Sequence, residues 1–146
     1  MKFFLVLDKE KEPSVTVASG KMTRFVEKIE ALCQEYDENE EIIYGYADEE
    51  ILPLPLMDVD CFFTKESKVF AAVGAKEYAT KLRIKQIEGL VDDSFIKINQ
   101  GCIVNVKQVE KFAVSFGGAL KIVLKNGRFD YVARREVKNI KRRFGL

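Results

Sequence analysis

The chain has 146 residues, of which 47% are hydrophobic and 32% charged, and its formal net charge is +1. This composition is typical of a folded protein with one domain, or one domain and a small extension, and it excludes a disordered tail. The sequence contains no histidine, which excludes Ser-His-Asp and Cys-His catalysis and histidine-ligated zinc.

The charges are distributed unevenly along the chain. Residues 1–60 carry 6 basic and 15 acidic side chains, a net charge of −9, whereas residues 61–146 carry 18 and 8, a net charge of +10. Such an asymmetry predicts that the basic part binds a polyanion, either a nucleic acid or a membrane surface. The alternative is a chance segregation of charges over two solvated faces.

The start of the chain and its cysteines bear on the compartment. A run of only five apolar residues, 3–7, precedes Asp8, too short for the apolar core of a signal peptide or for a membrane span. Cys33, Cys61 and Cys102 are widely spaced and form no CxxC pair. We therefore expect a cytoplasmic protein whose cysteines are reduced and mostly buried, with a redox role for one of them as the less favoured alternative.

The first fifty residues are predicted to form a small acidic β-β-α-β unit. Residues 3–7 and 14–18 have apolar or alternating patterns typical of strands, and residues 42–46 form a third candidate strand. Residues 21–36 repeat apolar side chains at three- and four-residue spacing, which predicts an amphipathic helix. So short a unit can barely hold a core, and it should therefore pack on its neighbour or on another chain.

Pro53 and Pro55 mark the predicted boundary, after which the sequence is rich in strands. A charged four-residue loop at 65–68 joins two of them, and Asn126-Gly127 predicts a hairpin turn. We therefore predict an α+β fold, with residues 1–50 as the acidic unit and residues 51–146 as a mainly antiparallel β domain with a C-terminal helix. The predicted strands are 60–64, 69–73, 95–98, 102–106, 109–115, 119–124 and 129–132, and the predicted helices are 84–90 and 136–144.

The sequence shows no enzyme motif. It lacks a Gly-rich phosphate loop, a GxSxG elbow and an HExxH pair. Paired carboxylates such as Asp92 and Asp93 lie in predicted turns, where solvated or helix-capping roles are commonest. We therefore predict a protein that is not an enzyme, with no catalytic residue, metal or cofactor.

The basic side chains recur in the loops between strands rather than along one helical stripe. Lys65 and Lys68 flank one loop, Lys125 lies in another, and Arg134 and Arg135 precede the last predicted helix. If the strands bring these loops to one side, they present positive charge to a phosphate backbone.

Reading a base sequence needs side chains with directional hydrogen bonds. Asn99, Gln100 and Arg135 have this chemistry, because amides favour adenine and a guanidinium favours guanine. The alternative for each is an ordinary polar loop residue. The chain shows neither a convincing helix-turn-helix pair nor zinc-finger spacing.

Three segments of the basic part carry more specific patterns. Residues 95–105 read FIKINQGCIVN, residues 120–127 read LKIVLKNG and residues 131–140 read YVARREVKNI. In order, they resemble the signatures F-x-R-x-H-R-S-x-I-V-N, L-x-V-x-L-K-N-G and Y-x-S-R-R-x-V-K-x-L of the LytTR DNA-binding domain family. Residues 51–63 fit that family's opening segment loosely, so the resemblance covers roughly residues 50–146.

The resemblance implies a bacterial-type transcription regulator that binds specific duplex DNA. It implies an elongated, mainly antiparallel β fold in which loops between strands, rather than a recognition helix, enter successive major grooves. The implied base-reading positions are Lys68, Asn99, Gln100 and Arg135. Arg134 and Lys138 are implied phosphate contacts, and the basic residues Lys65, Lys125 and Arg142 are expected to add to them.

Two positions depart from the family pattern. Gly101 and Ala133 stand where the family commonly has serine, so two hydroxyl contacts with phosphate are expected to be missing. Gln100 stands where basic or other amide residues are more usual, so the resemblance does not fix which base it prefers.

The residues before position 50 are too few for the receiver domain that many relatives carry, and the chain looks like a short, stand-alone regulator of this family. We expect its first helix to support a homodimer on tandem half-sites of duplex DNA about one helical turn apart. Docking of a separate regulatory protein and packing on its own domain are alternatives for that helix.

We expect no membrane partner. The competing function is a protein-interaction module whose basic face docks an acidic protein.

Overall fold

The computed structural model describes residue 10, residues 14–38 and residues 41–146, with only the backbone described for residues 35–38. The chain divides between Asn39 and Glu40 into two compact units. The strand predicted at residues 3–7 lies outside the described residues.

The described part of the first unit contains one helix, α1 (Arg24–Glu38). Thr23 caps it, because its Oγ1 accepts a hydrogen bond from the Val26 N–H at 3.3 Å. The helix therefore begins three residues later than predicted. Residues 14–18 do not form the predicted strand, since an alternating pattern makes a stable strand only with hydrogen-bonded partners. The prediction of a β-β-α-β unit is therefore wrong for its second strand.

The described part of the second unit is built from antiparallel strands and two helices. Most of the elements predicted after residue 60 are present within one or two residues, although the last helix begins earlier than predicted. The strands are Ile42–Ala47 (β1), Glu50–Pro55 (β2), Cys61–Lys65 (β3), Lys68–Val73 (β4), Lys76–Ala79 (β5), Phe95–Asn99 (β6), Cys102–Asn105 (β7), Val109–Val114 (β8), Leu120–Leu124 (β9) and Phe129–Tyr131 (β10), and the helices are Ile84–Leu90 (α2) and Arg134–Phe144 (α3).

The strands β1 and β2 form a hairpin that belongs to the second unit. Their register runs from Ile42 opposite Pro55 to Ala47 opposite Glu50, and β1 also pairs with β5. The strand predicted at residues 42–46 is therefore present, but it lies in the large sheet and not in the acidic unit. The predicted boundary after residue 50 would cut this hairpin, so the physical division lies earlier in the chain.

Two sheets build the second unit. The larger has the strand order β2-β1-β5-β4-β3-β7-β6, and the smaller has the order β10-β9-β8. One core, which includes Phe62 and Ile87, joins α2 to the larger sheet. The other core, which includes Cys61, Ile122 and Ile140, joins both sheets and α3. Because successive side chains of a strand point to opposite faces, the neighbours Cys61 and Phe62 contribute to different cores.

The turn between β3 and β4 is shorter than predicted. Lys65 pairs directly with Lys68, which leaves only Glu66 and Ser67 in the turn. Both have positive φ, 51° and 64°, as the common two-residue turns of antiparallel hairpins require. The predicted four-residue loop is therefore a tight turn, and the two lysines occupy its flanking strand positions.

Asp60 is a buried carboxylate that ties distant segments together. Its Oδ2 accepts hydrogen bonds from the Gly74 N–H at 2.8 Å and from Asn126 Nδ2 at 2.9 Å. Asn126 lies in the turn between β9 and β10, so this carboxylate connects the smaller sheet to the start of β3. Only 8% of Asp60 is exposed, and these hydrogen bonds satisfy its buried carboxylate.

Candidate nucleic-acid interface

Three segments meet at one edge of the second unit: the β3–β4 turn, the β6–β7 turn and the start of α3. The Thr64 N–H donates to the Gly101 carbonyl at 2.9 Å, which joins the first two segments. The Ala133 N–H donates to the Ile98 carbonyl at 2.8 Å, which joins β6 to the start of α3. We refer to this region as the basic edge, and it carries Lys65, Lys68, Asn99, Gln100, Arg134 and Arg135.

The β6–β7 turn is braced from within. Asn99 Nδ2 donates to the Tyr131 carbonyl at 2.9 Å, and Asn99 Oδ1 accepts from the Gly101 N–H at 2.8 Å. These two bonds fix the orientation of the Asn99 amide, which keeps one N–H and one oxygen lone pair beyond them. The neighbouring Gln100 is exposed at the turn, so its amide can reach outward while Asn99 fixes the backbone behind it.

Arg134 and Arg135 lie within the first turn of α3, and not before the helix as predicted. Both are exposed. The N–H groups at the start of a helix attract anions, so the helix start and the two guanidinium groups favour the same kind of ligand. Lys138 is exposed one turn later, on the same face as Arg134 because residues four apart share a helix face.

Two predicted phosphate contacts lie away from the basic edge. Lys125 sits in the turn that Asn126 ties to Asp60, at the start of β3, whereas the basic edge lies at the end of that strand, about 17 Å away for five residues. Arg142 lies in the last turn of α3, about 12 Å along the helix from Arg134. The structure therefore brings two of the basic segments together with the β6–β7 turn and leaves the Lys125 turn at the opposite end.

Glu77 binds two cations, Arg128 and Lys65. Its carboxylate accepts hydrogen bonds from Arg128 Nη2 at 2.7 Å and from Lys65 Nζ at 3.5 Å. The hydrogen bond from Arg128, helped by the charges of Arg128 and Lys65, holds the pKa of Glu77 below its usual value. The Arg128 guanidinium also lies 4.9 Å from the centre of the Phe63 ring. The ionised Glu77 therefore keeps Lys65 close to the protein surface, a contact that the sequence pattern did not indicate.

The buried cysteines are chemically inert. Burial raises the pKa of Cys61 to about 12, and it raises the pKa of Cys102 as well. Cys33 is half-buried. No group of metal-binding side chains occurs among the described residues.

We expect iodoacetamide at pH 8 to modify Cys33 and to spare Cys61 and Cys102 in the folded protein. The thiolate is the reactive form, and a pKa raised above its ordinary value keeps a thiol protonated at this pH. Peptide mass spectrometry measures the modified fraction at each cysteine, and the control is the same reaction in guanidinium chloride, where all three should react. Rapid modification of Cys61 in the folded chain would contradict its burial.

Comparison with known proteins identifies the fold and its family. The profile of the LytTr DNA-binding domain matches residues 49–145, which include every residue of the basic edge. The chain belongs to the LytTr DNA-binding domain family. Its DNA-binding character follows from this membership, and the family is not a class of enzymes. The family predicted from the three sequence signatures is therefore confirmed, as is a mixed, mainly antiparallel β fold with a C-terminal helix.

Relatives of this LytTr protein agree with the assignment. An uncharacterized HTH-type transcriptional regulator of Staphylococcus aureus strain MSSA476 is 29% identical over 147 residues, covering 100% of this chain and 99% of the relative. A regulator of the same description in strain N315 is 29% identical over 137 residues, covering 94% and 92%. The solved LytTr domain of a putative methyl-accepting/DNA response regulator from Bacillus cereus superposes with a TM-score of 0.68 at 18% identity, covering 74% of this chain and 100% of that domain.

The helices of this LytTr protein are not arranged as a helix-turn-helix in the described part of the second unit. Five strands separate α2 from α3, whereas the two helices of a helix-turn-helix are joined by a short turn. Any DNA contact at the basic edge therefore comes from turns and from the start of α3. Among the described residues, no helix is long and apolar enough to cross a membrane.

Proposed function

We propose that this LytTr protein is a cytoplasmic transcription regulator that binds specific double-stranded DNA and reads major grooves with the turns of its basic edge. The observation that carries the proposal is the convergence of the turns that hold Lys68 and Gln100 with the helix start that holds Arg135. The names of the S. aureus relatives, which are transcriptional regulators, support the regulatory role.

The exposed side chains of the edge divide by chemistry. Lys68, Gln100 and Arg135 are proposed to contact bases, because their groups donate or accept hydrogen bonds in the pattern of base edges. Asn99 is proposed to hold the turn that presents Gln100, since both ends of its amide are engaged within the chain.

Phosphate contacts are proposed for a second group of cations. Lys65, Arg134 and Lys138 lie on or next to the same edge and supply affinity without sequence reading. Lys65 Nζ donates to Glu77 at 3.5 Å, and its ammonium keeps two further N–H donors for a phosphate.

The helix α1 is proposed to support a homodimer. Its residues Phe25 and Leu32 are 46% and 63% exposed, and apolar side chains at this spacing lie on one helical face. Two copies on one face of DNA would occupy half-sites about ten base pairs apart. A separate regulatory protein bound to the same helix face is the alternative partner.

The test is selection of bound fragments from random duplex DNA by the full-length chain. We expect enrichment of a motif repeated about every ten base pairs. Its affinity should fall with salt at a log–log slope near −5 if about six phosphates are contacted. Random duplexes of equal length are the control. Equal affinity for selected and random duplexes would contradict sequence reading, and binding that does not depend on salt would contradict the DNA interface itself.

A further inference from the structure

The turn between β8 and β9 lies beside the basic edge. The Val132 N–H donates to the Leu120 carbonyl at 2.8 Å, and Leu120 begins β9 immediately after the turn. Val132 is followed within two residues by Arg134, which begins α3. Residues 115–119 therefore extend from the same end of the smaller sheet as the start of α3, and they continue the row formed by the other turns.

The turn differs from its neighbours in chemistry. Residues 115–119 read SFGGA and carry no charge, and the side chain of Phe116 is fully exposed, at 109% of its reference area. A single exposed apolar side chain is common on protein surfaces, so exposure alone assigns no role. The position of Phe116, at the same end of the smaller sheet as the two arginines that begin α3, is what distinguishes it.

The backbone of the turn holds Phe116 outward. Gly117 and Gly118 have φ of 96° and 84°, which glycine adopts without strain. The Gly118 N–H donates to the Ser115 carbonyl at 3.0 Å, and the Ser115 N–H donates to the Ala119 carbonyl at 2.9 Å. The turn is therefore closed by its own hydrogen bonds, and Phe116 is presented without a packing partner among the described residues.

We propose that Phe116, beside the basic edge, makes a fourth base contact, an apolar one that packs against the 5-methyl group of a thymine flanking the bases read by Arg135. The thymine methyl is the apolar group exposed in the major groove, and phenylalanine is one of the side chains that contact it. This inference rests on the proposed function.

The experiment compares the full-length chain with Phe116→Ser on the selected duplex and on duplexes in which single flanking thymines are replaced by deoxyuridine. Deoxyuridine removes only the methyl group. We expect the wild type to lose about 3- to 10-fold in affinity at one such position, as the loss of one buried apolar group implies. Phe116→Ser should bind the thymine and deoxyuridine duplexes equally. Tyr44→Ser is the matched control, because Tyr44 is also an exposed aromatic residue but lies in β1 of the larger sheet.

The outcomes separate this inference from the proposed function. If Arg135→Ala loses its preference for the selected duplex while Phe116→Ser behaves as the wild type on every duplex, the Phe116 contact is overturned and sequence reading stands. A loss in Phe116→Ser that is the same with thymine and deoxyuridine also overturns the methyl contact. If the wild type itself does not distinguish selected from random duplexes, the proposed function fails first.

Discussion

Replacement of Arg135 by alanine should weaken binding to the selected duplex by about 1–3 kcal/mol, or roughly 5- to 150-fold, and should relax the preference at one base pair. Arg135 is exposed in the first turn of α3, where a guanidinium can make two hydrogen bonds to guanine. Because the side chain is exposed, its removal should leave the fold intact. Fluorescence anisotropy with the selected duplex and its single-base variants measures both effects.

The matched control for Arg135 is Lys125→Ala. It removes the same unit of charge, but Lys125 lies in the turn tied to Asp60 at the opposite end of β3. We expect Lys125→Ala to change the affinity less than about 3-fold, because only long-range attraction is lost and salt screens it within about 10 Å. If Arg135→Ala weakened all sequences equally, Arg135 would be a phosphate contact and not a reader. An equal loss in both variants would assign no special role to the edge.

Local patterns predicted most of the strands after residue 60, but they did not indicate β2, whose prolines suggest a boundary, or β5. The apolar run at residues 61–63 marks a strand between two cores, and the Asn-Gly pair at 126–127 marks a turn. The same reasoning failed at residues 14–18, where the alternation is present but the strand is not. A strand needs a hydrogen-bonded partner, and the sequence of one segment does not show which other segment will pair with it.

The content of the basic edge was predicted better than its geometry. Loop positions and charge indicated Lys68, Gln100 and Arg135, yet they could not show that Lys125 lies at the other end of the strands. They also suggested the same role for Asn99 and Gln100, which the structure distinguishes by their hydrogen bonds. These differences depend on contacts between distant segments, such as Asn126 with Asp60 and Asn99 with Tyr131, which no spacing within the sequence encodes.

Contacts between residues far apart in the chain could not be predicted either, because local patterns do not show which segments meet. Glu77 and Arg128 are 51 positions apart, and Asp60 and Asn126 are 66 apart. Within its own segment of the sequence, each of these four residues looks like an ordinary polar residue. Only the folded chain brings Gly74 and Asn126 to the carboxylate of Asp60.

Replacement of Asp60 by alanine should lower the free energy of unfolding by about 1–3 kcal/mol, since it leaves two part-buried donors without their charged acceptor. The donors are the Gly74 N–H and Asn126 Nδ2. Asp58→Ala is the matched control, because Asp58 is acidic, two residues away and exposed, and a surface change of this kind should stay within about 0.5 kcal/mol. Urea unfolding followed by circular dichroism measures both variants.

A double-mutant cycle with Asn126→Ala separates the bridge from general damage at Asp60. If the carboxylate stabilises the protein partly by holding the β9–β10 turn, the two substitutions should be non-additive, with a coupling of about 0.5–3 kcal/mol. Additive effects would mean that Asp60 acts only through Gly74 and the start of β3. Because the smaller sheet leads directly into α3, a coupled pair would also mean that this buried contact helps to hold Arg135 in line with the two turns of the basic edge.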